Sequence, residues 1–577
     1  MNFPFFPMPN EPSPEDPIAG ILAPLFALRG ENDLGIGDTR TLIDFIDWAS
    51  GIGFRLIQLL PINETGNDHS PYNAISSVAL DPTTIATTPA DLPDLCEAAF
   101  QEIVAGVSLD AIRSGPVLYE QVKPLKNRLL RAAFATFEAN SESSDNERAR
   151  QFRAWQKEHA GWLGGYALFR WLKERHDESE QWDRWDPAVQ TLEKARAWLA
   201  ALEHDEREAA LKSIRFYEYV QWVAFTQWRE VKAHAERKGV FLMGDVPIGV
   251  SYYGADVFSH PELFHLDWSG GAPPERVFKS DPFTQKWGQN WGVPMYRWEV
   301  HQENDYAWWR QRVARVKEFF HLFRVDHVLG FYRMYGFPWR PEENETYLPL
   351  SEEEARERTG GRLPHFIPRD DHSHENREAN QREGERHLRA LLKEVGPFAL
   401  IGEDLGLVPD YVRPSLTALG IAGFKIPQWE REGDGRLIPG DHYQRLSVTT
   451  YATHDHPPLA LFWEQMSDAA AAGDGHQRWE LEQFAAFAGL AVHGPTPYTK
   501  EIERALLRAL FLSHSWIAVV MITDLFGSRK RFNVPGSFSR TNWSERLERS
   551  IHRWQEDPAV VTLMAEVRTL LEESGRV

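Results

Sequence analysis

Eight short apolar runs, each preceded or followed by a helical pattern, constrain the fold of this 577-residue sequence more than any other feature. Several of the runs are continuously apolar rather than alternating, which is typical of parallel strands covered by helices. Eight such strands interleaved with helices predict an α/β fold, a closed (β/α)8 TIM barrel rather than an open sheet. The predicted strands are Gly20–Arg29, Arg55–Asn63, Val240–Val250, Phe323–Gly330, Phe398–Gly406, Ile421–Gln428, Ser447–Asp455 and Trp516–Asp524.

Helical periodicity is clear at several places between these runs. Thr39–Ser50 repeats apolar residues at helical spacing and follows Asp38, which is suited to capping a helix. Asp305–Phe323 leads into the fourth predicted strand, and Lys500–Ser513 leads into the eighth. The tail Asn542–Val577 also has a helical pattern, so no C-terminal β-domain is expected.

A barrel of this kind needs only about 250 residues, so a single domain over residues 1–577 must carry insertions. The interval 64–235, after the second strand, is polar on one face of each helical pattern, and we expect a mainly helical insertion there. Intervals 251–303 and 331–395 are predicted to be loop or subdomain insertions around the site at the barrel mouth.

Two segments inside those insertions have specific predictions. The interval 331–395 is rich in Pro, Arg and Glu and is expected to be irregular and exposed, with the charge-dense part 369–386 a solvated loop or a fraying helix. The segment 266–294 is rich in Gly, Pro, Trp and Phe. It is a candidate lid over the site, and a plain surface loop is the alternative.

Composition and charge argue against several classes of protein. The net charge of −21 would repel a polyphosphate, so no nucleic-acid partner is expected. Cys96 is the one cysteine, which excludes an intramolecular disulfide and a cysteine-based metal site. The sequence has no signal-peptide pattern and no apolar run of about 18 residues, so we expect a cytoplasmic protein with no membrane partner. No phosphate-binding glycine loop or metal-ligand cluster is apparent, so no metal and no cofactor are expected.

Polar residues cluster at the ends of the predicted strands, where barrel enzymes place their catalytic groups. Four of these strand ends carry carboxylates, two of them next to Arg or His, and paired carboxylates are what glycoside chemistry requires. The residues are Asp245 after the third strand, Arg324, Asp326 and His327 on the fourth, Glu403 and Asp404 on the fifth, and His454 and Asp455 on the seventh.

The spacing of these residues suggests different roles for the carboxylates. Arg324 and Asp326 are two residues apart on a strand and share a face, so the guanidinium would keep Asp326 ionised, as a nucleophile requires. A carboxyl group on the next strand can keep its proton and act as acid and then as base. Strand alternation allows only one of Glu403 and Asp404 to face inward, and the spacing does not choose between them. Asp455 would bind sugar hydroxyls and favour an oxocarbenium-like transition state.

A series of short segments carries a family resemblance over nearly the whole chain. They are LGIGD at Leu34–Asp38, SPY at Ser70–Tyr72, GDVPI at Gly244–Ile248, ADVFSHPELF at Ala255–Phe264, GQNWG at Gly288–Gly292, PMYRW at Pro294–Trp298, RVDH at Arg324–His327, GEDLG at Gly402–Gly406, THD at Thr453–Asp455, FNVPG at Phe532–Gly536 and NW at Asn542–Trp543. Each segment is weak evidence alone. Their number, order and spacing resemble the 4-α-glucanotransferases, also called amylomaltases or disproportionating enzymes, of glycoside hydrolase family 77.

The resemblance implies roles for individual residues. Asp326 would be the nucleophile, Glu403 the acid/base and Asp455 the transition-state stabiliser. Tyr72 and Trp291 would stack on sugar rings. The glucan-binding residues that the resemblance implies are Tyr72, Asp245, Gln289, Trp291, Arg324, His327 and His454.

The implied reaction is transfer of an α-1,4-glucan segment to the 4-hydroxyl of an acceptor glucan or glucose, by a retaining double displacement. The expected partners are α-1,4-glucans and maltooligosaccharides. An α-glucan hydrolase with the same three carboxylates is an alternative. A non-catalytic glucan-binding protein is a second, although it would not need all three. A third is a phosphate-binding barrel that uses Arg529, Lys530 and Arg531, although the carboxylates would repel a phosphate.

The sequence departs from the family pattern at three places. His456 is followed by Pro457 and Pro458, which should stiffen the loop after Asp455. Val293 stands where the family commonly has Asn, and Glu275 stands where Asp is usual. These differences concern acceptor preference and product size and leave the three carboxylates in place.

Overall fold

Twelve strands form two sheets in the part of the chain that the computed structural model describes, residues 12–142, 144–275, 281–535 and 541–577. Eight of them close into a parallel barrel in the order β1-β12-β11-β10-β9-β6-β3-β2, which confirms the predicted (β/α)8 barrel. The strands are β1 (Ile18–Leu22), β2 (Leu56–Gln58), β3 (Phe241–Pro247), β4 (Phe264–Ala272), β5 (Gln289–Tyr296), β6 (Leu322–Asp326), β7 (Met334–Phe337), β8 (His365–Ile367), β9 (Leu400–Gly402), β10 (Ala422–Lys425), β11 (Ser447–Thr449) and β12 (Ile517–Met521).

Three features of the sequence analysis fall on residues outside the described ranges. They are the beginning of the chain, up to residue 11, part of the candidate lid, 276–280, and Gly536 at the end of the FNVPG segment.

The barrel strands are shorter than their apolar runs. The first predicted strand reached Arg29, but β1 ends at Leu22 and the chain then forms a 3-10 turn over Leu25–Ala27. The residues of that turn are buried. Because the loop after the strand is itself part of the core, hydrophobicity does not mark where the strand ends.

The described residues before β3 contain eight α-helices. One of them, α1, precedes β2, and the other seven lie between β2 and β3. Asp38 caps α1, as predicted, and accepts a hydrogen bond from the Thr41 N–H at 3.0 Å. The helices are α1 (Thr39–Ile52), α2 (Glu97–Val104), α3 (Leu109–Ser114), α4 (Tyr119–Phe137), α5 (Glu147–Glu158), α6 (Leu163–Arg175), α7 (Leu192–Ala200) and α8 (His204–Arg237).

The remaining helices follow β3. The described part of the chain past β12 holds the last three of them. No helix in the described ranges combines the length and the apolarity needed to cross a membrane. The helices are α9 (Ala255–Ser259), α10 (Pro282–Lys286), α11 (Trp298–Glu303), α12 (Ala307–Val316), α13 (Asn344–Tyr347), α14 (Glu352–Arg358), α15 (His374–Val395), α16 (Val412–Ala418), α17 (Leu459–Ala471), α18 (Gly475–Phe487), α19 (Lys500–Phe511), α20 (Ile522–Leu525), α21 (Ile551–Glu556) and α22 (Pro558–Glu573).

The other four strands form an antiparallel sheet in the order β5-β4-β7-β8. Strands β7 and β8 of this sheet lie in the interval 331–395, which was predicted to be irregular, so that prediction was wrong. Strands β4 and β5 lie in the interval 251–303, which was predicted to be a loop or subdomain insertion. Its strand β4 contains Gly270 and Gly271, which lowers its strand propensity in the sequence. A Cβ on Gly271 would lie 1.9 Å from the Gln289 carbonyl oxygen, so the close approach of β4 and β5 requires glycine there.

The charge-dense segment 369–386 was predicted to be a solvated loop or a fraying helix, and the structure supports the helix. Most of it belongs to α15, a 22-residue helix that continues to Val395. Leu388 and Leu391 are fully buried on its inner face. The sequence did not decide between loop and helix because most of the apolar anchors of the helix lie beyond the charge-dense part, so the charges dominate the local pattern.

Candidate active site

A cavity of about 790 Å³ opens where the barrel strands end. Eight of the ten predicted site residues line it, and the two others, Asp245 and His454, are buried behind them. The eight are Tyr72, Gln289, Trp291, Arg324, Asp326, His327, Glu403 and Asp455.

Asp326 is the last residue of β6 and lies beside a buried arginine. Arg324 Nη2 is 2.9 Å from the Asp326 carboxylate, so the two residues share a face as their spacing predicts. Arg324 Nη1 also donates to both carboxylate oxygens of Asp245, at 2.8 and 2.7 Å. Burial opposes the charge on Arg324, but Asp245 and Asp326 together raise its pKa well above the ordinary value. The arginine therefore remains a cation directly beside the Asp326 carboxylate.

Glu403 follows β9 and points into the same cavity. Its carboxylate accepts hydrogen bonds from the main-chain N–H of His327 at 2.7 Å and of Leu405 at 3.0 Å. Burial raises the pKa of Glu403 to about 7, and the negative charge of Asp326 acts in the same direction, while Arg324 and the two N–H groups oppose it. Glu403 is therefore suited to give up and regain a proton near neutral pH.

The choice between Glu403 and Asp404, which the sequence left open, follows from the partners of Asp404. Its carboxylate accepts from the Phe424 N–H at 2.6 Å and from Arg413 Nε at 2.9 Å. A Cβ on Gly423 would lie 2.9 Å from this carboxylate. Asp404 thus faces β10, and Glu403 is the one that reaches the cavity.

Asp455 lies just beyond the end of β11, and donors surround its carboxylate. His454 Nε2 is 3.2 Å away, and Asn533 Nδ2 donates to it at 2.6 Å. Arg531 Nη2 donates to the Asp455 carbonyl at 2.8 Å. Burial alone would raise the pKa of Asp455, but His454, Asn533 and His456 outweigh burial and hold the pKa well below its ordinary value. The carboxylate is therefore ionised near neutral pH.

Tyr72 connects the two buried residues to the cavity. Its hydroxyl donates to Asp245 at 2.6 Å and lies 3.3 Å from His454 Nδ1. Its ring stacks on the His454 ring, with 4.8 Å between the centroids. The Asp245 side chain has no exposed surface, so in this structure it holds Arg324 and Tyr72 from behind. We call Tyr72, Asp245, Arg324, His454 and Asp455 the polar floor.

The rim of the cavity carries aromatic side chains. Trp291 of β5 is 38% exposed, donates from Nε1 to Gln289 Oε1 at 3.2 Å and meets the His327 ring edge-on at 4.8 Å. Burial lowers the pKa of His327 to about 4, so this imidazole is neutral near pH 7. Trp291 has a free aromatic face of the kind that packs on a sugar ring.

Several cavity residues had no predicted role. Asn533 lies in the FNVPG segment, but nothing in the sequence links it to Asp455, 78 positions away. Trp429 follows β10, is 50% exposed and lies 5.0 Å from the His456 ring. An aromatic residue just after a barrel strand is the signal that would have identified it. The family departures Glu275, Val293 and His456 also line the cavity.

The basic triplet proposed as a phosphate site is occupied by protein groups. Arg529 pairs with Glu464. Lys530 Nζ lies 3.5 Å from the Glu545 carboxylate, and Arg531 is bonded to the Asp455 carbonyl. Because each cation already has a partner, these contacts argue against the phosphate-binding alternative.

One group in the described ranges has the spacing of metal ligands, and it lies outside the cavity. It consists of Glu158, His159 and Glu318. Arg315 is 2.7 Å from Glu318 and 3.7 Å from Glu158, and Arg229 also pairs with Glu318. The two guanidinium groups therefore supply the positive charge that a metal ion would bring.

Comparison with known proteins agrees with this geometry. A family model described as 4-alpha-glucanotransferase matches residues 23–551. The 4-alpha-glucanotransferase of Chlamydia pneumoniae is 32% identical over 554 residues, which cover 93% of this chain and 92% of that protein. That of Chlamydia muridarum is 30% identical over 573 residues, covering 96% and 95%.

Solved structures share the fold. The amylomaltase from Streptococcus agalactiae in complex with acarbose aligns with a TM-score of 0.75 at 22% identity, over 97% of this chain and 100% of that one. The amylomaltase from Corynebacterium glutamicum aligns with a TM-score of 0.74 at 21% identity, over 98% and 76%. On the family match and the Chlamydia relatives, this chain belongs to the 4-alpha-glucanotransferase family.

Proposed function

We propose that this protein is a 4-α-glucanotransferase that moves α-1,4-linked glucosyl segments between maltooligosaccharides by a retaining double displacement. One observation carries the proposal. Asp326, held by the Arg324 cation, shares a cavity with Glu403, whose pKa lies near 7. Two carboxyl groups kept in opposite protonation states are what a retaining glycosyl transfer needs.

In the first half of the reaction, a carboxylate oxygen of Asp326 attacks the anomeric carbon of the donor. The bond from that carbon to the glycosidic oxygen breaks, and Glu403 gives its proton to the departing oxygen. A glycosyl ester on Asp326 remains, and Glu403 is now a carboxylate. Asp455 lies beside the positive charge that develops on the sugar ring, and its permanent negative charge favours that transition state.

In the second half, Glu403 takes the proton from the 4-hydroxyl of an incoming glucan. That oxygen attacks the anomeric carbon and the ester bond to Asp326 breaks. Two inversions restore the α configuration. Water in place of the glucan would give hydrolysis, so transfer requires a cavity that binds an acceptor sugar well.

The other cavity residues would hold the glucan. Trp291 and Tyr72 present aromatic faces, and Gln289 and His327 present polar atoms to the same space. Asp245 and His454 would act through Tyr72, Arg324 and Asp455. We also propose that the insertions 64–235, 251–303 and 331–395 shape the mouth of the barrel around the substrate.

The test is incubation with maltotriose and resolution of the products by length over time. We expect glucose together with a ladder of longer maltooligosaccharides. Asp326→Asn should lower the rate by at least about 10⁴-fold, because no covalent intermediate can form. Asp205→Asn is a matched control, because Asp205 is fully exposed on α8 and should leave the rate unchanged.

Other outcomes would count against the proposal. Glucose and maltose without longer products would make the protein an α-glucan hydrolase. No turnover by the folded protein would contradict an enzymatic role on these substrates. Full activity of the Asp326→Asn variant would remove Asp326 from the mechanism.

A further inference from the structure

A second cavity, of about 140 Å³, lies apart from the cavity at the barrel mouth. It opens between helices α6 and α7 on one side and helices α9 and α12 on the other. Among the described residues, the two cavities share no lining residue. We define the second cavity by six residues that line it: Trp162, Arg196, Ser259, Trp308, Gln311 and Arg312.

Arg312 brings a buried positive charge to the second cavity. It is 3% exposed, and its guanidinium lies beside the rings of Trp308 and Trp309, at 5.6 and 4.9 Å from their centroids. Nη2 donates to the Pro247 carbonyl at 2.7 Å, whereas Nε and Nη1 have no hydrogen-bond partner in the described part of the chain. Burying a cation without a paired anion is costly, so an anion in this cavity would be stabilised by Arg312.

The other charges around the second cavity also favour an anion. Asp256 is the one acid among the described residues that line it, and both of its carboxylate oxygens already accept hydrogen bonds from Ser77, at 2.7 and 2.6 Å. Arg196, which is exposed on α7, adds a second cation and forms no ion pair within the described ranges. Two guanidinium groups therefore face one carboxylate that is engaged elsewhere.

Two polar side chains of the second cavity are free to bind a ligand. Gln311 and Ser259 make no side-chain hydrogen bond to the residues that the structure describes. A Cβ on Gly161 would lie 2.6 Å from Gln311 Nε2, and a Cβ on Gly165 would lie 2.9 Å from Ser259 Oγ, so the glycines leave room at both groups.

These donors and the size of the second cavity indicate the chemistry of its ligand. Guanidinium, amide and hydroxyl groups are donors to which phosphate oxygens bind. At roughly the volume of five water molecules, the cavity admits an ion of phosphate size but no glucan chain. The ligand that fits is a small oxyanion.

The contact between Arg312 and Pro247 connects the second cavity to the nucleophile strand. Pro247 is the last residue of β3, lines the barrel-mouth cavity and pairs in register with Asp326. The next carbonyl, that of Ile248, accepts from the Tyr296 hydroxyl at 2.6 Å. An anion near Arg312 offsets the cost of burying its charge, and so stabilises the arrangement in which Arg312 holds the end of β3.

We infer that the second cavity binds a small oxyanion of phosphate size, and that this ion promotes glucan transfer through Arg312 and Pro247. The binding depends on the second cavity alone, whereas the effect on transfer rests on the proposed function. Because the ion and the glucan occupy separate cavities, they do not compete, and the effect is a coupling between two sites.

The experiment has two measurements on the whole chain. In a calorimetric titration with sodium phosphate in a phosphate-free buffer, we expect saturable binding with a Kd of about 1 mM or lower. Sodium chloride at equal ionic strength is the reference and should not saturate. The second measurement is kcat/KM for maltotriose with and without saturating phosphate at constant ionic strength. We expect phosphate to raise kcat/KM about fivefold.

Three variants locate the site. Gln311→Glu keeps the size of the side chain but adds a negative charge, so phosphate should bind at least about tenfold more weakly and should no longer affect kcat/KM. Arg196→Gln removes one cation and should weaken phosphate binding about fivefold. Arg128→Gln is the matched control, because Arg128 is an exposed arginine on α4 that lines neither cavity, and it should leave phosphate binding unchanged.

Other results would overturn parts of the inference. Absence of saturable phosphate binding by the folded wild-type protein would overturn it, even if maltotriose gives its normal ladder. Binding that neither Gln311→Glu nor Arg196→Gln weakens would overturn the assignment to the second cavity. Binding that leaves kcat/KM unchanged would overturn the coupling to the nucleophile strand. Absence of the ladder both with and without phosphate would overturn the proposed function, and the titration would still decide the binding.

Discussion

The polar floor of the cavity and an apolar wall, formed by Tyr335, Phe366, Leu405 and Leu407, are held together in different ways. In the floor, Arg324, Asp245, Tyr72 and His454 bind one another through directed contacts of 2.6 to 3.3 Å. In the wall, side chains meet through rings and aliphatic surface. Directed contacts fix charges where a transition state develops, whereas apolar surface tolerates changes in the shape of its ligand. We therefore expect changes in the polar floor to reduce activity more than changes in the apolar wall.

Raising the pH should have the largest effect on activity, and it should act through the protonation of Glu403. Because Glu403 has a pKa near 7 and must be protonated for the first step, kcat/KM for maltotriose should fall about tenfold per pH unit above 7. With α-maltosyl fluoride as donor the fall should be much smaller, since fluoride departs without a proton. The measurement is a pH profile of both donors between pH 5 and about 9.

Glu403→Gln serves as the control for this profile. It should remove the alkaline fall for maltotriose together with most of the activity. The same alkaline fall with both donors would mean that another group titrates, and would contradict the assignment of Glu403 as the acid.

Removal of the hydrogen-bond donor Asn533, at the edge of the polar floor, should have an intermediate effect on activity. Asn533→Ala deletes the hydrogen bond to Asp455, and hydrogen bonds to charged groups are worth about 1.5–3 kcal/mol, so kcat/KM should fall about tenfold or more. The pKa of Asp455 should rise, because its charged form loses a donor. Activity should therefore be lost at a higher pH on the acid side than in the wild-type protein.

The acid side of the pH–activity profile distinguishes a positioning role of Asn533 from a purely structural one. Asn140→Ala, at an exposed asparagine outside the cavity, should change neither rate nor profile. A slower Asn533→Ala enzyme with an unshifted acid limb would show that Asn533 acts in another way.

A change in the apolar wall should have the smallest effect. Tyr335→Ser removes a ring from the cavity and should lower kcat/KM for maltotriose about threefold, since part of the apolar surface remains. Tyr335→Phe keeps the ring and should change kcat/KM less than twofold. The maltotriose assay measures both. A larger loss for Tyr335→Phe than for Tyr335→Ser would show that the hydroxyl, not the ring, carries the effect.

The same contrast explains what the sequence could predict. The barrel was predictable because its strands are continuous apolar runs, and Asp326 was identifiable because Arg324 stands two residues before it on one strand. The antiparallel sheet was not, because its strands mix polar and apolar residues and β4 contains paired glycines. The wall was missed for that reason, since Tyr335 and Phe366 belong to this sheet.

Other parts of the site depend on contacts between distant segments. No local pattern brings Asn533 to Asp455, and the choice of Glu403 over Asp404 needed either the family resemblance or the partners of Asp404 on β10. Periodicity describes which face of an element a residue occupies. It does not describe which loop lies opposite.

The backbone at His327 links the two proposed reacting carboxylates. His327 adopts a left-handed conformation, with φ 47°, immediately after Asp326, and its N–H binds Glu403. The donor is a main-chain group, so no side-chain substitution at position 327 except proline removes it. One peptide unit thus links the proposed nucleophile to the proposed acid. Mutations that reshape the surrounding cavity can change which sugars are joined while the stereochemistry of the bond stays the same.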